Sequence, residues 1–354
     1  MEQTDNLNIL RFRPLITPDE LKSQLPETDE VARLVAGSRV SIYNILTNKD
    51  RRRLVITGPC SLHDREATLE YARKLTELQG KLSEKILIIM RAYFEKPRTT
   101  LGWKGMLYDP DLDNSYNIEE GFRRARSLLL AIAELKLPTA TEFLDPIVPQ
   151  YTADLVSWAA IGARTTESQI HRQMASGLSM PVGFKNSIDG NLSAAIDAIK
   201  AAASGHFFMG IDGGGKVVIA ETRGNRCGHL VMRGGTRGPN YASEHVAFAE
   251  VLLRKANVPT AVVIDCSHAN SDKDHKRQRE ALYDVAEQIA GGNRLIAGVM
   301  LESFLHEGNQ PIDTRENLEY GLSLTDKCIG WEETEELIRH FADAAEGQRD
   351  DQTG

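Results

Sequence analysis

Eight short apolar runs punctuate the chain: LVIT (54–57), ILIIM (86–90), TATEF (139–143), AAIGA (159–163), PVGFK (181–185), HLVMR (229–233), AVVID (261–265) and LIAGVML (295–301). Each is rich in β-branched or small apolar residues and too short for a buried helix, so each reads as a strand covered on both faces. Between them, stretches such as REATLEYARKLTELQ, IEEGFRRARSLLLAIAELK and EHVAFAEVLLRKA repeat apolar positions every three and four residues. That is the period of a helix with one buried stripe. Eight such strands alternating with helices predict an α/β fold, a (β/α)8 TIM barrel, whose usual size of about 250 residues fits inside this chain. A doubly wound sheet is the alternative.

Ahead of the first run, Thr17-Pro18-Asp19-Glu20 reads as an N-cap, a proline at the first helical position and a capping-box glutamate. A second helix is expected over 29–46. Residues 1–50 exceed what a barrel needs and are expected to form an extension packed on the barrel or on another subunit. Residues 51–345 would then form the barrel, and the polar end 346–354 a disordered tail. Gly210-Ile-Asp-Gly-Gly-Gly-Lys216 looks like a phosphate-binding loop, but Val217 stands where a Ser or Thr is needed and VVIAE continues as a strand. A hairpin turn is expected there. No repeat of 20–50 residues is visible.

Composition narrows the classes. The 354 residues are 41% hydrophobic and 26% charged, with no apolar run approaching membrane-spanning length, as in a soluble globular protein. The start, MEQTDNLNILRFRP, has no secretory-signal pattern, so a cytoplasmic location is expected. A net charge of −8 argues against nucleic acid as a general partner. Four cysteines without short spacings fit reduced thiols. Of these, Cys266 reads as packed, and Cys227 has no partner at metal spacing.

In a barrel the chemistry lies just past the carboxyl ends of the strands. Read in strand order, those positions hold Cys60, Arg91, Glu142, Arg164, Lys185, Arg233, His268 and Glu302. Six cations (Arg91, Lys96, Arg98, Arg164, Lys185 and Arg233) are expected to face one mouth. Such a cluster repels itself when empty, and suits a ligand with two phosphates and a carboxylate, since each charge-assisted hydrogen bond contributes roughly 1.5–3 kcal/mol in a dry site. Cys60, His268, Glu302 and Asp326 have metal-ligand character. A thiolate, an imidazole and two carboxylates accept Mn, Fe, Co or Zn.

The segments GPCSLHD (58–64), RAYFEKPRTTLGWKG (91–105), IGARTTESQIHR (161–172), GFKN (183–186), MRGG (232–235), DCSHANSDKDH (265–275) and ESFLHEGNQ (302–310) resemble 3-deoxy-D-arabino-heptulosonate 7-phosphate (DAHP) synthase of the type I, microbial, feedback-regulated branch. The resemblance runs from about residue 5 to about residue 345. It implies condensation of phosphoenolpyruvate with D-erythrose 4-phosphate, the entry to the shikimate pathway, in a homodimer or homotetramer with one divalent metal ion. By the same resemblance Arg91, Lys96, Arg164, Lys185 and Arg233 hold phosphoenolpyruvate, and Lys96, Arg98, Thr99 and Asp326 contact erythrose 4-phosphate. The metal falls to Cys60, His268, Glu302 and Asp326, with Glu142 placing a water and Lys96 supplying a proton.

The family also carries an aromatic amino acid effector site built from the N-terminal extension and a hairpin inserted before the sixth barrel strand. Matching positions here are Pro149, Gln150, Ser179, Phe208 and Gly210. Phenylalanine-regulated relatives resemble one another in carrying serine where Gly210 stands, so tyrosine is the expected effector. The alternatives are 3-deoxy-octulosonate 8-phosphate synthase chemistry, disfavoured by the KPRT segment, and a catalytically silent paralogue that binds aromatic amino acids. A class II aldolase lacks support because its clustered histidine ligands are absent from the sequence.

Overall fold

A computed structural model describes residues 2–346; of the tail expected over 346–354, Glu346 instead ends a helix and the rest lies outside the described residues. Eight parallel strands close into a barrel: β1 (Arg53–Gly58), β2 (Ile86–Arg91), β3 (Thr139–Glu142), β4 (Trp158–Ile161), β5 (Val182–Lys185), β8 (Gly228–Met232), β9 (Val262–Asp265) and β10 (Ile296–Glu302). Every residue of these strands is buried, which is why they read as unbroken apolar runs. The remaining two strands, β6 (Phe207–Ile211) and β7 (Val217–Glu221), pair antiparallel and apart from the barrel. They form the hairpin ahead of the sixth barrel strand, with the glycine-rich segment as its turn.

Helices α3 (Arg65–Leu82), α4 (Ile118–Glu134), α5 (Val148–Thr152), α6 (Gln169–Gly177), α7 (Ser193–Ala202), α8 (Ser243–Ala256), α9 (Gln278–Ala290) and α10 (Trp331–Glu346) surround the strands. The extension supplies α1 (Pro18–Gln24) and α2 (Asp29–Leu46). At the start of α1 the Thr17 hydroxyl accepts the Glu20 N–H while the Glu20 carboxylate accepts the Thr17 N–H, so the capping box closes as its residues dictate. Among the described residues no helix is long and apolar enough to cross a membrane.

The core has two layers. An outer one lies between strands and helices, and an inner one fills the barrel with Leu54, Ile56, Leu87, Ile89, Trp158, Val231, Val263 and Met300. Three residues of α2, Ile42, Ile45 and Leu46, join that inner cluster, so the end of α2 stops the barrel at the amino ends of its strands. Two-residue alternation then carries the inward positions upward from Ile89 to Arg91 and from Val263 to Asp265. Apolar filling gives way to charge at the carboxyl end. Gly162 makes room there: a Cβ on it would lie 2.1 Å from Glu142 Oε1.

Candidate active site at the barrel mouth

A cleft of about 550 Å3 opens at the carboxyl ends of the strands, lined by Lys96, Arg98, Glu142, Arg164, Lys185, Arg233, His268 and Asp326 among others. Eight of the expected site residues thus meet in one hollow. Arg91 lies beneath it, fully buried, and Thr99 is exposed and outside the lining. Another hollow of about 450 Å3 on the flank, bordered by α4, also holds arginines. There Arg123 and Arg124 are paired with Glu119, Glu120 and Asp111, and Arg315 lies 3.9 Å from Asp111, while Arg65 donates to the Ser127 hydroxyl.

The expectation of six mutually repelling cations needs correction. Arg91 Nη2 donates to Glu302 Oε1 at 3.1 Å, and Lys185 Nζ donates to Asp265 Oδ2 at 3.0 Å. Two buried carboxylates therefore neutralise two of the six. Asp265, the last residue of β9, does not stand among the residues that the sequence singles out. It accepts from the Ser267 hydroxyl at 2.6 Å and lies 3.1 Å from His268 Nδ1. Burial would raise its carboxyl, but Lys185 and His268 outweigh that and hold it well below the usual range. Its signal in the sequence is its inward register two residues past Val263.

Arg164 and Arg233 stand differently: neither has a carboxylate within 4.0 Å among the described residues. Burial lowers the Arg233 pKa against the pull of Asp265, and the facing charge of Arg164 lowers it further. Asn186 fixes this wall by accepting the Arg233 N–H at 2.9 Å and donating to the Gly234 carbonyl. Two such guanidinium groups facing one hollow form a preorganised anion site.

On the opposite side, ligand atoms of Cys60, Glu302 and Asp326 lie within 4.8 Å of one another. His268 Nε2 is 3.9 Å from Glu302 Oε1. Between His268, Glu302 and Asp326 is a hollow of about 30 Å3, enough for one ion or water. Gln278 clamps Glu302 by donating to its carbonyl at 3.0 Å and accepting its N–H at 2.8 Å. Burial and the Glu302 carboxylate push the Cys60 thiol up to about 11. Lys96 Nζ donates to Cys60 Sγ at 3.0 Å and to its carbonyl at 2.9 Å. Burial would lower Lys96, but Cys60, Glu302 and Glu142 outweigh it, so the ammonium is held charged. A sulfur and two carboxylates within 4.8 Å of one another, with the His268 imidazole near Glu302, are a donor set that fits a divalent transition metal.

Glu95, beside Lys96, is buried and accepts N–H bonds from Leu144 and Asp145 at 3.2 and 3.0 Å. Burial pushes its carboxyl up to about 8 from 4.5. Between those values the folded state binds more protons than the unfolded one, so its stability contribution is full below the lower value and lost as pH rises through the upper. The melting temperature of E95Q relative to the parent is therefore expected to climb from pH 5 to pH 9. A constant difference would refute this.

The expected effector positions lie away from the mouth. Pro149 and Gln150 are on α5, Ser179 follows α6, and Phe208 and Gly210 are on β6. The extension reaches the same region: Tyr151 donates to the Ile16 carbonyl at 2.7 Å, and the Asp19 N–H donates to the Gly213 carbonyl at 2.9 Å.

Known proteins share this arrangement. The sequence profile of the DAHP synthetase I family matches residues 24–339. The chain is 51% identical over 347 residues to the Phe-sensitive phospho-2-dehydro-3-deoxyheptonate aldolase of Escherichia coli K12, covering 98% of this chain and 99% of that one. It is 52% identical over 344 residues to the Trp-sensitive protein of Enterobacter agglomerans, covering 97% and 99%. The Tyr-sensitive protein of E. coli K12 is 49% identical over 345 residues, covering 97% of each. Among solved structures, the phospho-2-dehydro-3-deoxyheptonate aldolase of Francisella tularensis SCHU S4 superposes with a TM-score of 0.95 at 49% identity, covering 97% of this chain and all of that one. Agreement of profile, full-length identity and fold leaves one conclusion: the chain belongs to the DAHP synthetase I family.

Proposed function

We propose that this enzyme condenses phosphoenolpyruvate with D-erythrose 4-phosphate to give DAHP and inorganic phosphate. The observation that carries the reading is the pair Arg164 and Arg233, two guanidinium groups on one cleft wall with no carboxylate partner within 4.0 Å among the described residues. They suit the phosphate of phosphoenolpyruvate, with Lys185 beside them and Arg91 below. Arg98, whose Nε is anchored on the Trp103 carbonyl at 2.7 Å, faces the same cleft from the KPRT loop and suits the phosphate of the aldehyde substrate, with Thr99 next to it.

Cys60, His268, Glu302 and Asp326 would hold the divalent metal, which when bound supplies Lewis-acid polarisation of the aldehyde. Lys96 remains protonated in its buried setting and delivers a proton to the oxygen that becomes hydroxyl as C3 of phosphoenolpyruvate bonds to the aldehyde carbon. Glu142 borders the cleft and orients water toward C2, where positive charge develops. The resulting hemiketal phosphate then releases phosphate by C–O cleavage.

Feedback by an aromatic amino acid completes the reading, with tyrosine favoured. Gly210 has no positive φ, and an added Cβ would meet Phe208 and Ala220 carbons at 3.7 and 3.8 Å, ordinary contact distances. The hairpin backbone therefore does not require glycine there, which supports a role for Gly210 in ligand fit. Self-association into a dimer or tetramer suits the outward apolar face of the hairpin, where Met209 is 85% and Ile219 78% exposed.

Phosphate release from phosphoenolpyruvate, assayed on chelated protein with divalent metal restored, is expected only when erythrose 4-phosphate is also present. Tyrosine is expected to inhibit it more strongly than phenylalanine or tryptophan. Absence of release with every metal would sink the reading and favour a binding-only paralogue.

A further inference from the structure

Two residues beyond Arg91, just past the end of β2 and within the segment RAYFEKPRTTLGWKG, stands Tyr93, to which the proposed roles give no part. It is 1% exposed, and its hydroxyl has no hydrogen-bond partner among the described residues. Its ring lies under the Arg91 guanidinium, whose central carbon is 4.0 Å from the ring centroid, and Lys96 Nζ is 5.8 Å from the same point. Its carbonyl accepts the Leu62 N–H at 3.0 Å, which ties it to the loop bearing Cys60. Arg91, Lys185, Glu142 and Asp265 all act electrostatically on the phenol, so the hydroxyl sits among the groups that floor the cleft.

A buried hydroxyl without a partner carries its desolvation cost in full, and such groups are rare unless something absent from the free protein satisfies them. Other orphaned polar atoms occur among the described residues, but Tyr93 is the one whose ring faces both Arg91 and Lys96. Burial raises the phenol pKa, so the group stays a proton donor at neutral pH. A donor here, flanked by cations, is matched to an anion.

We propose that Tyr93 is part of the phosphoenolpyruvate site, its hydroxyl donating to the anionic head of that substrate, directly or through one bound water, while its ring holds Arg91 in place. The proposal rests on the function proposed above. Its test is Y93F, which deletes the hydroxyl and keeps the ring, followed by calorimetric titration of phosphoenolpyruvate into parent and variant protein.

Phosphoenolpyruvate is expected to bind Y93F about ten- to a hundredfold more weakly, the loss typical of a hydrogen bond to a charged group. The melting temperature should hold or rise, because an orphaned hydroxyl leaves the core, and the KM for erythrose 4-phosphate should stay within about twofold. A purely structural hydroxyl gives a different result: phosphoenolpyruvate affinity within about twofold of the parent overturns the proposal, and so does equal weakening of both substrates. Failure of the parent to bind phosphoenolpyruvate would instead overturn the function itself, and this assignment with it.

Discussion

Alanine in place of Cys60 is expected to lower turnover on the order of a thousandfold or more, with bound metal lost in parallel, because a methyl group offers a divalent ion nothing. The fold should survive. Lys96 keeps its bond to the backbone carbonyl at position 60, and the neighbouring Ser61 hydroxyl still pairs with Thr325 at 2.9 Å. Metal content by mass spectrometry, circular dichroism and steady-state rates after metal restoration would be measured together. Metal-dependent turnover near the parental rate would remove Cys60 from the ligand set. A serine variant should fall between the two, since a hydroxyl remains a donor but a harder and less acidic one.

Lys185→Met should cost stability as well as activity. Its ammonium is the cation bound to Asp265, and both side chains are almost completely inaccessible to water. Removing one partner of a buried pair leaves the other charge uncompensated, at a cost of about 3–5 kcal/mol. His268 and the Ser267 hydroxyl remain beside Asp265 and temper the loss. The double variant K185M/D265N removes both charges, so it should recover much of the stability in denaturant unfolding yet stay inactive. Unchanged unfolding of the single variant would mean that the pair contributes nothing to the fold.

The eight strands were legible because burial on both faces leaves each barrel strand with an uninterrupted apolar run. The hairpin was legible because Val217 spoils the phosphate-loop pattern and opens a strand. Residues at strand ends pointed to the mouth for the same geometric reason. Partnerships were not legible. Arg91 and Glu302 lie 211 positions apart, and Cys60 and Asp326 lie 266 apart, so nothing local couples them. Asp265 and Tyr93 carry no local mark of function: one closes the apolar run AVVID, and the other is an aromatic residue between Arg91 and Lys96, whose contacts appear only in the closed barrel. Sequence therefore showed where charge gathers, while the sign of each neighbour, and hence which cations remain free, needed the closed barrel.

The plug formed by α2 bears on how this protein could ever be divided. Ile42, Ile45 and Leu46 belong to the same apolar cluster as Leu54, Leu87 and Ala297. A chain begun at residue 51 would open the narrow end of the barrel to solvent and forgo roughly 1.5–3 kcal/mol for each of those three side chains. The segment that reaches the hairpin through α1 is thus continuous with the one that seals the enzyme. Evolution or design can retune residues of this arm, but shedding it whole would unseat the catalytic scaffold, so any property the arm confers is easier to alter than to amputate.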